Sequence, residues 1–197
     1  MREILLFAED AGHEVILTAL VVRMAEESGV AAALRPYSVR GGHGKVLAEL
    51  RELKRELEAG DRSMPDLLLI ASDANCQGFS TRRREIEAIA PGLQVPIVYA
   101  IPDPHVERWL LLDSTAFKAA LGRGCAAPDQ KCARDRYKVL LRNAVRETGR
   151  MPLLGGLEHT ESIVRAMDLQ ALENGPDRSL ARFLKELRAR LTLWTEQ

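Results

Sequence analysis

The sequence contains little cysteine. Its three cysteines, Cys76, Cys125 and Cys132, are an odd number and include no CxxC pair, which argues against a disulfide framework and against a zinc site of paired thiolates. We therefore expect reduced thiols, with Cys76 as a small, buried or half-buried side chain beside a site. Long apolar runs are also missing, since none approaches the roughly 20 residues that a membrane span needs. The apolar start of the chain turns acidic at Glu9, which argues against a signal peptide. These absences predict a cytoplasmic protein without a membrane partner.

Net charge is absent as well, because 28 Lys and Arg residues balance 28 Asp and Glu residues. Residues 118–150 are an exception, with nine Lys and Arg against three Asp and Glu, an excess of six positive charges. Two interpretations of this segment stay open: it faces nucleic-acid phosphates, or it is an ordinary solvated helix face.

Nucleotide-binding motifs are missing too. No GxGxxG follows the first predicted strand, and "RGGHGK" lacks the first glycine and the Ser or Thr of a Walker A loop.

Short apolar runs alternate with amphipathic segments over the first 103 residues. The runs "EILLFAE", "VAAALRPYSV", "PDLLLIAS" and "VPIVYAIPD" predict four strands, and Pro36 weakens the outer half of the second. Between them, "HEVILTALVVRMAEESG", "KVLAELRELKRELEAG" and "TRRREIEAIAPG" predict helices that end near glycine. This alternation predicts an α/β fold with a mainly parallel sheet flanked by helices.

The pattern after Asp103 is helical throughout. We predict helices over 104–122, 132–149, 160–175 and 177–194, with Asp113 as a helix cap, a capping box at Thr160 and Trp109 in the core. We therefore divide the chain into an α/β core, residues 1–113, and a C-terminal helical extension of the same domain, residues 114–197.

Polar groups follow the predicted strands, at the edge of the sheet where chemistry collects in doubly wound folds. Glu9 and Asp10 follow the first strand, Asp73 and Asn75 the third, and residues 103–107 the fourth. Because magnesium prefers oxygen ligands, Glu9 and Asp73 are candidates to share a cation, with Asn75 adding an amide oxygen. The alternative stays open, since Asp and Asn after strands are also ordinary turn and helix-capping residues.

Five segments, spread over nearly the whole chain, carry a family resemblance: "LLFAEDAGHEVILTAL", "RGGHGKVL", "DLLLIASDANCQGFSTRRREI", "IPDPHVERWLLLD" and "RSLARFLKELR". In order and spacing they resemble the Toprim domain of topoisomerases, primases and the overcoming-lysogenization-defect nucleases. More closely, the chain is similar to a family of small bacterial Toprim-like proteins that are often associated with phage defence and encoded beside ATPases. The resemblance implies a Toprim-like α/β core.

The resemblance also implies roles for matched positions. Glu9 corresponds to the glutamate that acts as general acid or base near the metal, and Asp73 and Asn75 fall on two acidic positions that hold magnesium. Glu9 and Asp73 are thus the catalytic candidates, and Mg²⁺ or Mn²⁺ is the implied cofactor. The amide of Asn75 removes one negative charge, so further acids are needed. The metal-ligand candidates are Glu9, Asp73, Asn75, Glu14 and Glu107. Asp10 is a further candidate acid, at a position where the family usually has glycine.

Some of these residues have a second explanation. Glu107 lies where a helix begins, so the helix dipole alone would favour an acid there. His13 is either a ligand or proton shuttle, or an ordinary surface histidine, and His43 has the same two alternatives. Several basic residues are candidates for phosphate contacts, and four of them are spaced as a stripe on one helix. The nucleic-acid-binding candidates are Arg40, Lys45, Arg82, Arg83, Lys131, Arg134, Lys138 and Arg142.

Two functions are consistent with this sequence. The first is a magnesium-dependent Toprim-like nuclease that cuts phosphodiesters in DNA or RNA, which the resemblance extends to an effector in phage defence. The second is a catalytically weak or inactive Toprim-like subunit that binds nucleic acid or an ATPase partner, as the amide at Asn75 suggests. A homodimer is compatible with either function.

Overall fold

The protein folds around a four-stranded parallel sheet. A computed structural model describes residues 1–39 and 43–196. Its strands are β1 (Arg2–Ala8), β2 (Ala32–Ser38), β3 (Leu67–Ala71) and β4 (Ile97–Ala100), arranged in the order β2-β1-β3-β4. This confirms the predicted α/β fold with a parallel sheet flanked by helices. Pro36 has no backbone N–H to donate. It is tolerated because β2 is an edge strand, which has a neighbouring strand on one side only.

Helices cover both faces of the sheet. Three of them alternate with the strands: α1 (Ala11–Glu27), α2 (His43–Ala59) and α3 (Phe79–Glu87). Side chains of a strand point alternately to opposite faces, so Leu6 of β1 packs in a core with α1, and Phe7 packs in a second core with α2 and α3. Burial on both faces explains why β3 is apolar throughout.

Five further helices follow β4 and enclose the same core as α1. They are α4 (Ser114–Leu121), α5 (Arg136–Glu147), α6 (Thr160–Ala166), α7 (Leu169–Glu173) and α8 (Arg178–Thr195). The predicted burial of Trp109 is confirmed: this side chain is 1% exposed, stacks on Phe183 with 5.4 Å between ring centroids, and donates to Ser179 Oγ. The helical half therefore packs directly on the sheet. None of the described helices is long and apolar enough to cross a membrane.

Local capping decides where several of these helices begin and end. The predicted helix over 104–122 is instead a 3-10 helix, Val106–Leu111, followed by α4. Asp113 caps α4 by accepting a hydrogen bond from the Ala116 N–H, as predicted. The capping box at Thr160 is wrong, because Thr160 is buried inside the first turn of α6. The predicted helix over 160–175 is divided because Asp168 caps a new helix, α7.

A disulfide bond contradicts the prediction of reduced cysteines. Cys76, which follows β3, is bonded to Cys132, and their Cα atoms lie 5.4 Å apart. Both residues are exposed, so the prediction that Cys76 is buried is also wrong. The bond was missed because 56 positions separate the two cysteines and only the packing of the chain brings them together. It anchors residues 123–135, a segment without helix or strand, to the turn after β3.

Candidate active site

The strand order places a topological switch point between β1 and β3. From β1 the chain passes to β2 on one side, and from β2 it passes to β3 on the other, so the connections diverge at the carboxyl ends of these two neighbours. Ligands of doubly wound sheets bind at such a point. Glu9 lies there: its Oε2 accepts hydrogen bonds from Ser72 Oγ at 2.7 Å and from the Asp73 N–H at 2.9 Å. Glu9 thus joins the ends of the two strands.

Asp73 is more enclosed than a typical metal ligand. It is only 8% exposed, and both carboxylate oxygens have partners. Its Oδ2 accepts a hydrogen bond from His105 Nδ1 at 2.9 Å, and its Oδ1 accepts one from the Val106 N–H at 2.9 Å. His13 Nε2 lies 3.0 Å from Oδ1. Glu9 and Asp73 are therefore neighbours, as predicted from the sheet, but their carboxylates contact different partners.

His13 links two acids inside the protein. Its side chain is fully buried, and its Nδ1 donates to Asp10 Oδ1 at 2.9 Å while its Nε2 faces Asp73. Burial opposes the charge of His13, but Asp73 and Asp10 raise its pKa well above the ordinary value. In the same way, burial would raise the pKa of Asp73, yet His13 and His105 lower it. His13 therefore lies buried between two carboxylates that favour its charged form, and it is not a surface histidine.

His105 completes this row of alternating charges. Its hydrogen bond to Asp73 raises the pKa of the imidazole, and its ring lies 5.8 Å from that of Tyr137. The Tyr137 hydroxyl accepts from the Lys131 N–H at 2.8 Å, which holds the disulfide-bonded segment over His105. Our sequence analysis missed His105. Its place just after β4, at the same sheet edge as Asp73, was the available signal.

A cavity of about 260 Å³ opens beside this row. Its polar end is formed by Asp10, Glu107 and Lys138, and Lys138 Nζ lies 3.7 Å from Asp10 Oδ2 and 3.8 Å from Glu107 Oε1. Glu107 is 2% exposed, and its Oε2 has no hydrogen-bond partner within the described part of the chain. Burial, together with the charge of Asp73, raises the pKa of Glu107.

Gly12 lies against both acids of the polar end, Asp10 and Glu107. A Cβ atom at this position would lie 3.2 Å from Asp10 Oδ1 and 3.4 Å from Glu107 Oε1. Any larger residue would push against oxygens that line the cavity. The glycine after Asp10 and Ala11 therefore leaves room at the polar end.

A second cavity, of about 670 Å³, is larger but lies away from the strand ends. It is lined by residues of α1, α7 and α8. Four of its charged groups pair with one another, since Arg23 contacts Glu27 at 2.8 Å and Arg188 contacts Glu173 at 2.7 Å, and the fifth, Asp168, caps α7. Volume alone does not indicate chemistry, and we place the candidate active site at the smaller cavity, where the buried Oε2 of Glu107 has no hydrogen-bond partner among the residues that the structure describes.

Two of the predicted metal ligands point elsewhere. Asn75 adopts a positive φ of 51°, as asparagine does in turns, and its Nδ2 lies 3.4 Å from the carbonyl oxygen of Asp73. Glu14 accepts a hydrogen bond from Ser38 Oγ at the end of β2. Asn75 therefore shapes the turn beside Asp73, whereas Glu14 faces the edge strand.

The predicted basic stripe on one helix is wrong. Lys131 and Arg134 precede α5, which begins only at Arg136, because the disulfide at Cys132 and a positive φ at Asp135 hold residues 131–135 outside the helix. Lys138 and Arg142 do lie on α5 and are exposed. Lys138 points towards the acids of the cavity, so it belongs to the candidate site itself.

Two arginines after Asn75, Arg82 and Arg83, pair with acids of the protein. Arg82 is 2% exposed, and its guanidinium donates to the carbonyl oxygen of Asp73 and to Glu85. This contradicts its predicted phosphate contact, because a buried cation with these partners is not accessible. Arg83 pairs with Glu87 and Glu186 and lies over the Tyr99 ring. Lys45 is exposed in the first turn of α2. Arg40 and the side chain of His43 lie outside what the structure describes.

His13→Ala is expected to lower the free energy of unfolding by about 3 kcal/mol, because removing one partner of a buried ion pair leaves the other charge uncompensated. Asp73 would keep only His105 and the Val106 N–H as partners. Urea denaturation measures the effect. Val15→Ala, at a 40% exposed position of the same helix, is the matched control and should change stability by no more than about 0.5 kcal/mol.

The effect of this substitution should also depend on pH. Since the folded-state pKa of His13 is raised, its contribution to stability is fully present below its ordinary value of about 6.5 and is lost as the pH rises through the folded value. Repeating the urea experiment across this range gives the difference between wild type and His13→Ala. A difference that grows towards alkaline pH would contradict a charged His13.

Comparison of the chain with known protein families, with curated proteins and with solved structures finds no match.

Proposed function

We propose that this protein hydrolyses phosphodiester bonds of nucleic acids with the help of a divalent metal ion. The observation that carries the proposal is the buried carboxylate of Glu107, whose Oε2 lacks a partner among the described residues and which lines an open cavity with Asp10 and Lys138. Lys138 faces only the other oxygen, Oε1, at 3.8 Å, and a buried carboxylate oxygen without a contact of its own is unfavourable. A cationic ligand in this cavity would compensate it.

The donors at this edge of the sheet suit Mg²⁺ or Mn²⁺. Asp10 and Glu107 offer carboxylate oxygens in the cavity. Glu9 does not line the cavity but directly precedes Asp10 in the chain, and its Oε1 makes no hydrogen bond to the residues described. Across residues 1–39 and 43–196, no three His, Cys, Asp or Glu side chains converge as a metal-binding group. Magnesium needs only one or two carboxylates, since water and substrate phosphate complete its coordination. Asp73 would join the ligands only where His13 or His105 gave up a contact.

A bound metal ion would neutralise charge on the scissile phosphate and lower the pKa of a water molecule. Residues of the chain would attract the phosphate, accept the proton and orient the acids. The Lys138 ammonium, at the polar end of the cavity, would attract the phosphate. Glu9, fixed through its Oε2, would accept a proton from the attacking water at its Oε1. His13 would keep Asp73 ionised and oriented beside them.

The resemblance to Toprim-like proteins supports the same assignment. Glu9 and Asp73 match two acidic positions of that family, and they follow neighbouring parallel strands in the order that the family would require. The resemblance extends the proposal to an effector in phage defence that acts with an ATPase partner. The exposed Arg142, Arg146 and Arg150, close in sequence to Lys138, add positive charge that favours a polyanionic substrate.

Incubation with single-stranded and duplex DNA and RNA tests this function. We expect cleavage in the presence of Mg²⁺ or Mn²⁺ and none when EDTA removes the ions. Cleavage that persisted in EDTA would contradict a metal-dependent mechanism. If none of the four substrates were cut, and calorimetry detected no Mn²⁺ binding at millimolar concentrations, the enzymatic assignment would be wrong.

A second candidate function is a subunit that binds nucleic acid or an ATPase partner without turnover. The observation that favours it is the complete engagement of Asp73, whose two oxygens contact two histidines and a backbone N–H, next to the neutral amide of Asn75. Under this alternative, the wild type cuts nothing and Asn75→Asp creates metal-dependent cleavage. An active wild type excludes it.

A further inference from the structure

The cavity beside Glu107 has two chemically different ends. Asp10, Glu107 and Lys138 form the polar end, and Leu141, Leu154 and Leu157 form an apolar wall. A metal ion and a phosphate need only the polar end. We therefore expect the apolar wall to contact a second, uncharged part of the same ligand.

Leu154 lies in a loop, residues 150–156, that is held in place by its own hydrogen bonds. The Glu158 carboxylate accepts from the N–H groups of Leu153 at 2.8 Å, Leu154 at 3.0 Å and Gly156 at 3.1 Å. Gly156, with a φ of 102°, packs so closely on α5 that a Cβ atom there would lie 3.0 Å from side-chain carbons of Leu141 and Val145. The backbone is therefore fixed, although Leu154 remains 68% exposed.

An ordered loop that keeps a leucine in water has an unfavourable contact with solvent, at about 25 cal/mol for each Å² of apolar surface. Met151 and Leu153 of the same loop are also exposed, by 72% and 79%. Only Leu154 of these three lines the cavity. The loop thus directs one apolar side chain towards the space beside the polar end.

The charge around this loop indicates a polyanionic ligand. Lys138, Arg142 and Arg146 are exposed and recur every four residues on α5, which places them on one face of the helix. Arg150 is exposed just before the loop. A row of cations that begins at the polar end of the cavity is complementary to consecutive phosphates.

We propose that the cavity binds one unpaired nucleotide, with its phosphate at Lys138 and the face of its base against Leu154 and Leu157, behind which Leu141 is fully buried. This inference rests on the proposed function for the position of the phosphate. Bases inside a duplex are stacked and expose only their edges in the grooves, whereas an apolar wall contacts the face of a ring. The volume of about 260 Å³ is just below the usual range of ligand pockets, about 300 to 1,000 Å³, so the cavity has room for no more than one nucleotide and none for a base pair. The preferred substrate is therefore single-stranded or has an unpaired base.

Binding of fluorescent, cleavage-resistant phosphorothioate oligonucleotides in the presence of Mg²⁺, followed by anisotropy, tests this pocket without cleavage. We expect a single strand to bind at least about fivefold more tightly than a fully paired duplex of the same length. Leu154→Ser should weaken single-strand binding about fivefold and leave duplex binding unchanged. Leu153→Ser is the matched control, because Leu153 is in the same loop and more exposed but does not line the cavity.

Equal effects of the two substitutions, or equal affinity for single strand and duplex, would overturn the pocket. Circular dichroism and urea unfolding of both variants establish that the loop changes have not altered the fold. The result is separable from the proposed function. Leu154-dependent single-strand binding without any cleavage would refute the hydrolase only, whereas metal-dependent cleavage without an effect of Leu154→Ser would refute the base pocket only.

Discussion

Glu107→Gln is expected to reduce metal-dependent cleavage at least about a thousandfold while leaving the protein as stable as the wild type, or more so. A metal ion contributes several kcal/mol to a phosphoryl transition state, and each 1.4 kcal/mol is a factor of about ten in rate. Stability should not fall, because burial and Asp73 raise the pKa of Glu107. A carboxyl whose folded-state pKa is raised opposes folding once it ionises, and glutamine keeps its shape without the charge.

Two further variants give this prediction its controls. Glu161→Gln removes an exposed carboxylate of α6 that pairs only with Arg165 on the surface, and it should behave like the wild type. Asp73→Asn should lose both cleavage and stability, because Asp73 holds His13 and His105 inside the protein. Cleavage rates at saturating Mg²⁺ and urea unfolding of the same preparations measure both effects. Wild-type cleavage by Glu107→Gln would exclude Glu107 from the site.

Reduction of the Cys76–Cys132 bond is expected to lower the free energy of unfolding by about 4 kcal/mol. The two cysteines are 56 positions apart, and a bond that closes a loop of this length removes that much conformational freedom from the unfolded chain. The equilibrium constant for unfolding should therefore rise about a thousandfold. Urea unfolding with and without dithiothreitol measures the difference, and the reduced value describes the protein wherever thiols are kept reduced.

Cys132→Ser should reproduce the effect of reduction, and dithiothreitol should then have no further effect on the variant. Ala133→Ser, at an exposed position of the same segment, is the matched control and should leave stability nearly unchanged. Thiol titration of the unfolded, unreduced wild type should find one free thiol, that of Cys125, whose pKa burial raises to about 11 in the folded protein. Three free thiols would contradict the bond.

Periodicity in the sequence predicted much of the fold. The four apolar runs became the four strands, and the amphipathic segments between them became α1, α2 and α3. Predictions failed where a single side chain or bond decided the outcome. Asp168 began a new helix within the predicted one, and the bond at Cys132 kept Lys131 and Arg134 out of α5. A single helix cap or disulfide bond does not change the periodicity of the sequence, so periodicity cannot predict it.

The sequence predicted several residues of the candidate site but not the contacts between them. Glu9, Asp73 and Glu107 were recognised because each follows a predicted strand, and the parallel sheet does bring these strand ends to one edge. The sequence did not predict that His13 and His105 would engage Asp73, nor that Arg82 would be buried against its carbonyl oxygen. These contacts depend on how α1, α3 and the segment after β4 pack.

By itself, the sequence determined the α/β class, the parallel sheet and the set of acids at its edge, because strand runs, helix periodicity and strand ends are local properties of the chain. Only the tertiary structure decided which acid is satisfied and which is not. Asp73 has three donors around it, whereas Glu107 is buried with an oxygen that lacks a partner in the described chain. Burial and distance between residues far apart in sequence set that difference, and neither is a property of any short segment.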